Sequence, residues 1–221
     1  MMEQPSPRET PAAAQDARQP AERLWFGLFA AGLAFCLLSI WLFDEPIARF
    51  FGRHWRQYPL HSLRIGTSFV IAPIAAVLLA LGIFRLRDKT VSKSGEALTV
   101  AAYSALSGFA INSFLLKVLF ARERVDHFLH GHGGFFHAAH GEDYSFPSGH
   151  SVLVAAILVT LWRYYPRWYP LYIATMAVVT ILLLAGNWHF LSDVVAGGLW
   201  GAAAAHVTAL LWRRYTSPIQ I

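Results

Sequence analysis

The chain has 221 residues, of which 14% are Asp, Glu, Lys or Arg and 56% are hydrophobic. A soluble domain carries about 25% charged residues. The shortfall, with a mean hydropathy of +0.42, excludes a disordered chain, a fibrous repeat and an ordinary water-soluble enzyme. The net charge of +5 does not indicate nucleic acid, because the basic residues sit at the ends of apolar runs, where membrane topology accounts for them. Cys36 is the single cysteine. It lies in an apolar run and excludes an intrachain disulfide.

Residues 1–22 are rich in Pro, Ala, Gln and charge and read as a disordered cytoplasmic tail. The first apolar run begins too far in and is too long for a signal peptide. Six apolar runs follow, at 24–43, 65–84, 97–120, 149–165, 169–187 and 190–212. Each approaches the roughly 20 residues that a spanning helix needs, and none alternates as a membrane strand would. The expectation is therefore an all-α polytopic membrane protein, a six-transmembrane-helix bundle over 23–215, with a short tail at 216–221. Pro166 and Pro170 mark a tight turn between the fourth and fifth runs. The 44–64 connection, with Phe50, Phe51, Trp55 and Tyr58 among arginines, reads as an interfacial segment.

An N-terminus in the cytoplasm places 11 of the 18 Lys and Arg residues on the inner side, namely Arg8, Arg18, Arg23, Arg85, Arg87, Lys89, Lys93, Arg163, Arg167, Arg213 and Arg214. That balance favours cytoplasmic termini. The end of the third run and the starts of the fourth and sixth then emerge on the outer face. Polar residues from three places in the chain can meet there.

The first group is Lys117 and Arg124. Seven residues apart, they share one face if the helix continues; the plain alternative is a snorkelling lysine and an interfacial arginine. The second is Pro147-Ser148-Gly149-His150, where a serine caps a helix whose free N–H groups attract anions. The third is His189 with Asp193, four apart and so on one helical face. A carboxylate behind a histidine fixes its tautomer and raises its basicity. Asp193 is the only acid after Asp143; it could simply complement a helix dipole, but ionisable groups at an apolar run are costly and mostly functional. Two cations, a helix N-terminus, a hydroxyl and two histidines suit phosphoryl transfer.

These motifs resemble the three-part signature of the type 2 phosphatidic acid phosphatase superfamily: Lys-x6-Arg-Pro, Pro-Ser-Gly-His and Ser-Arg-x5-His-x3-Asp. Val125 replaces the first motif's proline, the second is intact, and the third keeps His189 and Asp193 but has Leu182 and Leu183 for Ser and Arg. The resemblance implies that His189 attacks phosphorus, Asp193 orients it and His150 protonates the leaving group. It also implies phosphate contacts from Lys117, Arg124, Ser148 and Gly149, an active-site loop over 117–150, and an integral protein of a bacterial inner membrane acting on its periplasmic side. The reaction would be metal-independent hydrolysis of a lipid phosphate or diphosphate, on a phospholipid or isoprenoid phosphate among membrane lipids. With Leu183 in place of the family's arginine, Arg122 or a histidine from 127–140 is the expected compensating group. Alternatives are a lipid phosphotransferase on the same fold, or a non-catalytic lipid-binding or transport scaffold. His127, His130, His132, His137 and His140 raise a metal site, but their irregular spacing among glycines provides no fixed geometry, so no metal and no cofactor is expected.

Overall fold

The computed structural model describes residues 19–54, 75–83, 92–131, 136 and 144–216, and every regular element among them is helical. In chain order these are α1 (Gln19–Leu42), α2 (Asp44–His54), α3 (75–83), α4 (Lys93–Ile111), a π-helical turn (Asn112–Leu116), α5 (Lys117–Phe120), α6 (Val125–Leu129), α7 (Gly149–Tyr164), α8 (Tyr169–Ala185) and α9 (Leu191–Thr216). Four segments are long and apolar enough to cross a membrane: Trp25–Leu42, one within Lys93–Leu129, Pro166–Ala185 and Leu191–Tyr215. Gly149–Tyr164 is a shorter apolar helix, about 24 Å long at 1.5 Å per residue. The second expected run, 65–84, lies outside the described residues except for 75–83. The expected tail also falls mostly outside them, but α1 begins at Gln19, so its last four residues are helical rather than disordered. Of the expected interfacial segment, 44–54 forms α2, which starts directly after α1 and has Phe50 exposed.

The helices touch through small residues. α9 packs chiefly against α7 and α4. Between helices already solvated by hydrocarbon, burial supplies little net drive, so close van der Waals approach and polar contacts must hold them. Gly197 and Gly201 sit one turn apart on α9. A Cβ at Gly197 would lie 2.4 Å from the Ser148 carbonyl oxygen, and one at Gly201 would lie 2.3 Å from the Val152 carbonyl oxygen. A Cβ at Gly108 on α4 would come within 3.0 Å of Ala204. Ala101, Ala102, Ala105 and Ala156 are buried around these contacts.

Hydrogen bonds add direction. Trp200 Nε1 donates to the Gly108 carbonyl (2.8 Å), tying α9 to α4. At the end of the bundle where α4 begins, the Glu96 carboxylate accepts from Tyr164 Oη on α7 (3.0 Å) and from Trp212 Nε1 on α9 (3.1 Å). One acid thus ties three helices together there. The expected turn after α7 is a single 3-10 turn, Pro166–Trp168, with Trp162 stacked on Tyr169 across it.

The glycine contacts make a prediction. Gly201→Ala forces a methyl into the α7 backbone and lowers stability by about 1–3 kcal/mol. Gly198→Ala meets only the flexible tip of Met176 at 3.4 Å and leaves stability within about 0.5 kcal/mol of the parent. Unfolding of the two variants in detergent compares them directly.

Candidate active site

The site lies at the end of the bundle opposite Glu96. The second and third motifs meet there through the backbone: Ser148 N–H donates to the Asp193 carbonyl (3.0 Å). Ser148 is extended and caps α7, its hydroxyl accepting from Ser151 N–H (3.4 Å). Two further residues hold this turn in place. Asn112 Nδ2 donates to the Pro147 carbonyl (3.2 Å), and a Cβ on Gly149 would crowd the Phe109 ring at 3.0 Å. Asn112 opens the π-helical turn and is fully buried. Such turns shift the register of a helix and recur at functional sites.

His189 precedes α9 and is 8% exposed. Its Nδ1 faces Asp193 Oδ2 at 3.4 Å, which leaves Nε2 as the ring's other polar atom. The His150 ring lies 5.9 Å from the His189 ring, centroid to centroid, and 6.2 Å from that of Trp188. The Lys117 ammonium bears on His150 electrostatically, as does His189. Lys117 Nζ also donates to the Tyr144 carbonyl (2.6 Å). The structure thus gathers Lys117, Ser148, Gly149, His150, His189 and Asp193 at one end of the helices.

Two expectations need correction. Lys117 and Arg124 do not share a continuous helical face. α5 ends at Phe120 because Ala121 takes the left-handed conformation, φ 41° and ψ 47°, and residues 121–124 run without helix. Arg124 precedes α6 and forms a two-pronged pair with Asp126 (3.0 and 2.9 Å). Nor does Arg122 offer its charge to a phosphate in place of the missing family arginine. Its side chain is fully buried. One terminal nitrogen donates to Asp193 Oδ1 (2.5 Å) and Ser192 Oγ (2.6 Å), and the other to Asp44 Oδ2 (2.7 Å). The guanidinium lies over the Phe190 ring, 4.1 Å from its centroid. Leu183, at the missing arginine's position, is itself buried. Of the histidine-rich stretch, His130 Nδ1 faces the Asp126 carbonyl (2.5 Å), while His132, His137 and His140 lie outside the described residues.

Asp44 is the residue that sequence reasoning missed. It is fully buried, and Oδ1 accepts from Ser192 N–H (2.9 Å), capping α9 from another helix. Its Oδ2 also takes the Ser192 hydroxyl. Burial pushes the Asp44 carboxyl up, against the opposing pull of Arg122 and Ser192. An acid at the boundary between an apolar run and an amphipathic segment was the available signal. For Asn112 the signal was a lone amide within an apolar run.

Together, Arg122 fastens Asp193 through Oδ1, and Phe190 N–H holds Oδ2 (3.0 Å). The carboxylate behind His189 therefore has a fixed orientation.

Residues 96–217 match the PAP2 superfamily. The chain is 34% identical over 206 residues to a lipid A 1-phosphatase of Rhizobium johnstonii, covering 86% of this chain and 82% of that one. It is 32% identical over 136 residues to a lipid A 1-phosphatase of Rhizobium etli, covering 57% of each. A crystal structure of a transmembrane PAP2-type phosphatidylglycerolphosphate phosphatase from Bacillus subtilis has a similar fold. Its TM-score is 0.53 at 20% identity, over 87% of this chain and 98% of that one.

Two variants test the local geometry. Arg122→Gln leaves two buried carboxylates without their counter-charge and lowers stability by about 3–5 kcal/mol. Ala121→Gly relieves the left-handed strain of about 1–2 kcal/mol at the cost of a more flexible unfolded chain, for a net gain of about 0.5–1 kcal/mol. Thermal unfolding in detergent reads both.

Proposed function

Because this chain belongs to the PAP2 superfamily, we propose that it dephosphorylates a lipid through a phosphohistidine formed on His189. At the coarser level it is an integral membrane lipid phosphatase, as its superfamily and its lipid A 1-phosphatase relatives indicate. The observation that carries the finer reading is His189, backed by a buried, doubly held Asp193 and facing His150 across 5.9 Å.

The chemistry runs in two steps. His189 Nε2 attacks phosphorus while Asp193 holds the Nδ1 proton. The developing imidazolium is stabilised by the carboxylate, as in other histidine–carboxylate pairs. The P–O bond to the lipid breaks, and His150 donates a proton to the departing oxygen. Water, giving its proton to His150, then attacks the phosphohistidine. The N–P bond breaks, inorganic phosphate leaves and His189 is restored. Lys117, the Ser148 hydroxyl and the Gly149 N–H at the α7 N-terminus balance charge on the phosphoryl oxygens. Arg124, paired with Asp126, stays outside this set. Positioned donors of this kind supply the stabilisation without a metal.

The resident lipid is a phosphate monoester whose chains lie in the bilayer. Lipid A bearing a 1-phosphate is the first substrate to test, given the two relatives. We place six spans in the bilayer, with cytoplasmic termini, residues 1–18 and 217–221 outside the spans, and the 117–150 active-site loop on the periplasmic face of a bacterial inner membrane. The Lys and Arg balance supports this orientation.

Purified protein in detergent with a chelator present should release inorganic phosphate from lipid A 1-phosphate. His189→Ala should abolish release, and His150→Ala should slow it by about 10²–10⁴-fold. Acid-quenched reactions with ³²P-labelled substrate should leave an acid-labile, base-stable label on the parent and none on His189→Ala. Phosphate release that persists in His189→Ala would sink the mechanism.

A further inference from the structure

Beside the catalytic residues is a cavity of about 240 Å³ between α2, α6 and the turn that leads to His189. Arg49, Gly52 and Arg53 line it from α2, Asp126 and His130 from α6 and its end, and Asn187 from the turn. It is smaller than the 300–1,000 Å³ that encloses a whole drug-sized ligand. It suits one charged fragment of a larger molecule.

Its position is tied to the site at two points. Asn187 lies two residues before His189 and adopts the left-handed region, φ 51°, which asparagine tolerates better than most residues. With its amide oriented to suit its neighbours, Asn187 donates to the Ala48 carbonyl (3.3 Å) and accepts from Gly52 N–H (2.9 Å). The cavity wall on α2 is thereby pinned to the turn carrying His189. At the opposite wall, Asp126 is bonded to Arg124, the arginine of the first motif. The same α2 carries Asp44, which engages Arg122 and α9. An occupant of this cavity therefore sits at a fixed place relative to the reacting phosphate.

The charges lining it are unevenly committed. The Asp126 carboxylate is matched by Arg124 (2.9 Å). Arg49 is paired with Glu45 (2.7 Å), both about half exposed. Arg53, one turn further along α2, has no carboxylate partner among the described residues. His130 turns Nδ1 to the Asp126 carbonyl, so Nε2 is its other polar atom. The charge at the cavity that no described carboxylate matches is the Arg53 guanidinium, a donor for an anion.

We propose that this cavity binds a second anionic group, a phosphate or carboxylate, on the head group of the same lipid whose phosphate is cleaved, with Arg53 as its principal contact. The proposal rests on the phosphatase reading above. It makes α2 the element that selects doubly anionic head groups. The pinning of α2 to the His189 turn favours the substrate's own head group over a neighbouring bilayer lipid or free phosphate.

Two synthetic glycolipids with identical acyl chains test it, one with two phosphates at opposite ends of the head group and one with the cleavable phosphate alone. In Arg53→Gln the ratio of KM values, diphosphorylated over monophosphorylated, should rise about tenfold, the effect of one charge-assisted contact. An unchanged ratio overturns the proposal. Turnover of the monophosphorylated lipid that depends on added anionic phospholipid, with the dependence lost in Arg53→Gln, also overturns it, because the cavity then serves a neighbouring lipid. Competition by millimolar inorganic phosphate that weakens only the diphosphorylated lipid's advantage, equally in parent and Arg53→Gln, overturns it as well. Equilibrium binding of both lipids to His189→Ala, with and without Arg53→Gln, separates this idea from the catalytic one. A preference for the diphosphorylated lipid that Arg53→Gln removes supports the cavity even where no lipid is turned over. Equal binding of the two lipids to His189→Ala overturns it.

Discussion

The site depends on one buried guanidinium. Arg122 joins three stretches far apart in sequence: the α1–α2 junction through Asp44, the first turn of α9 through Ser192 and Asp193, and its own segment after α5. Burying a charge in an apolar bundle costs several kcal/mol unless it is paired and fully hydrogen-bonded. Carboxylates on its two terminal nitrogens and an aromatic face beneath it offset much of that cost. The geometry behind His189 follows, since Asp193 answers to Arg122 on one oxygen and to the imidazole and Phe190 N–H on the other. Positioning and charge balance come from the same contact.

Much of this was legible in the residues. Long apolar runs announce helices in lipid because only closed hydrogen-bonding can survive there. The motifs at Pro147–His150 and at His189 and Asp193 are local patterns visible in their spacing. Their meeting was predictable from topology alone, because alternate helix ends share a face. The structure brings them together as expected, down to the Ser148 to Asp193 backbone bond.

The partner choices were not legible. Arg122 and Arg124 are two residues apart and chemically alike, and nothing local says which turns inward. That is decided at Ala121, whose left-handed backbone carries no sequence signal without a glycine to mark it. Asp44 sits 78 residues from Arg122 and 149 from Asp193. Such long-range pairings depend on packing rather than on periodicity, so no local pattern singles out an acid at the end of the first apolar run. Leu183 shows the reverse. Its departure from the family pattern was plain in sequence, but its burial on α8 is a property of the fold.

The contact of Gly197 with the Ser148 carbonyl has a consequence for how this protein can diverge. The floor beneath the Ser148 turn is the bare backbone of α9, with no side chain to yield between them. A relative that acquires even an alanine at 197 must move the whole Pro-Ser-Gly-His turn, and with it His150, relative to His189. Gly197 therefore couples the spacing of the two histidines to the packing of α9 against α7.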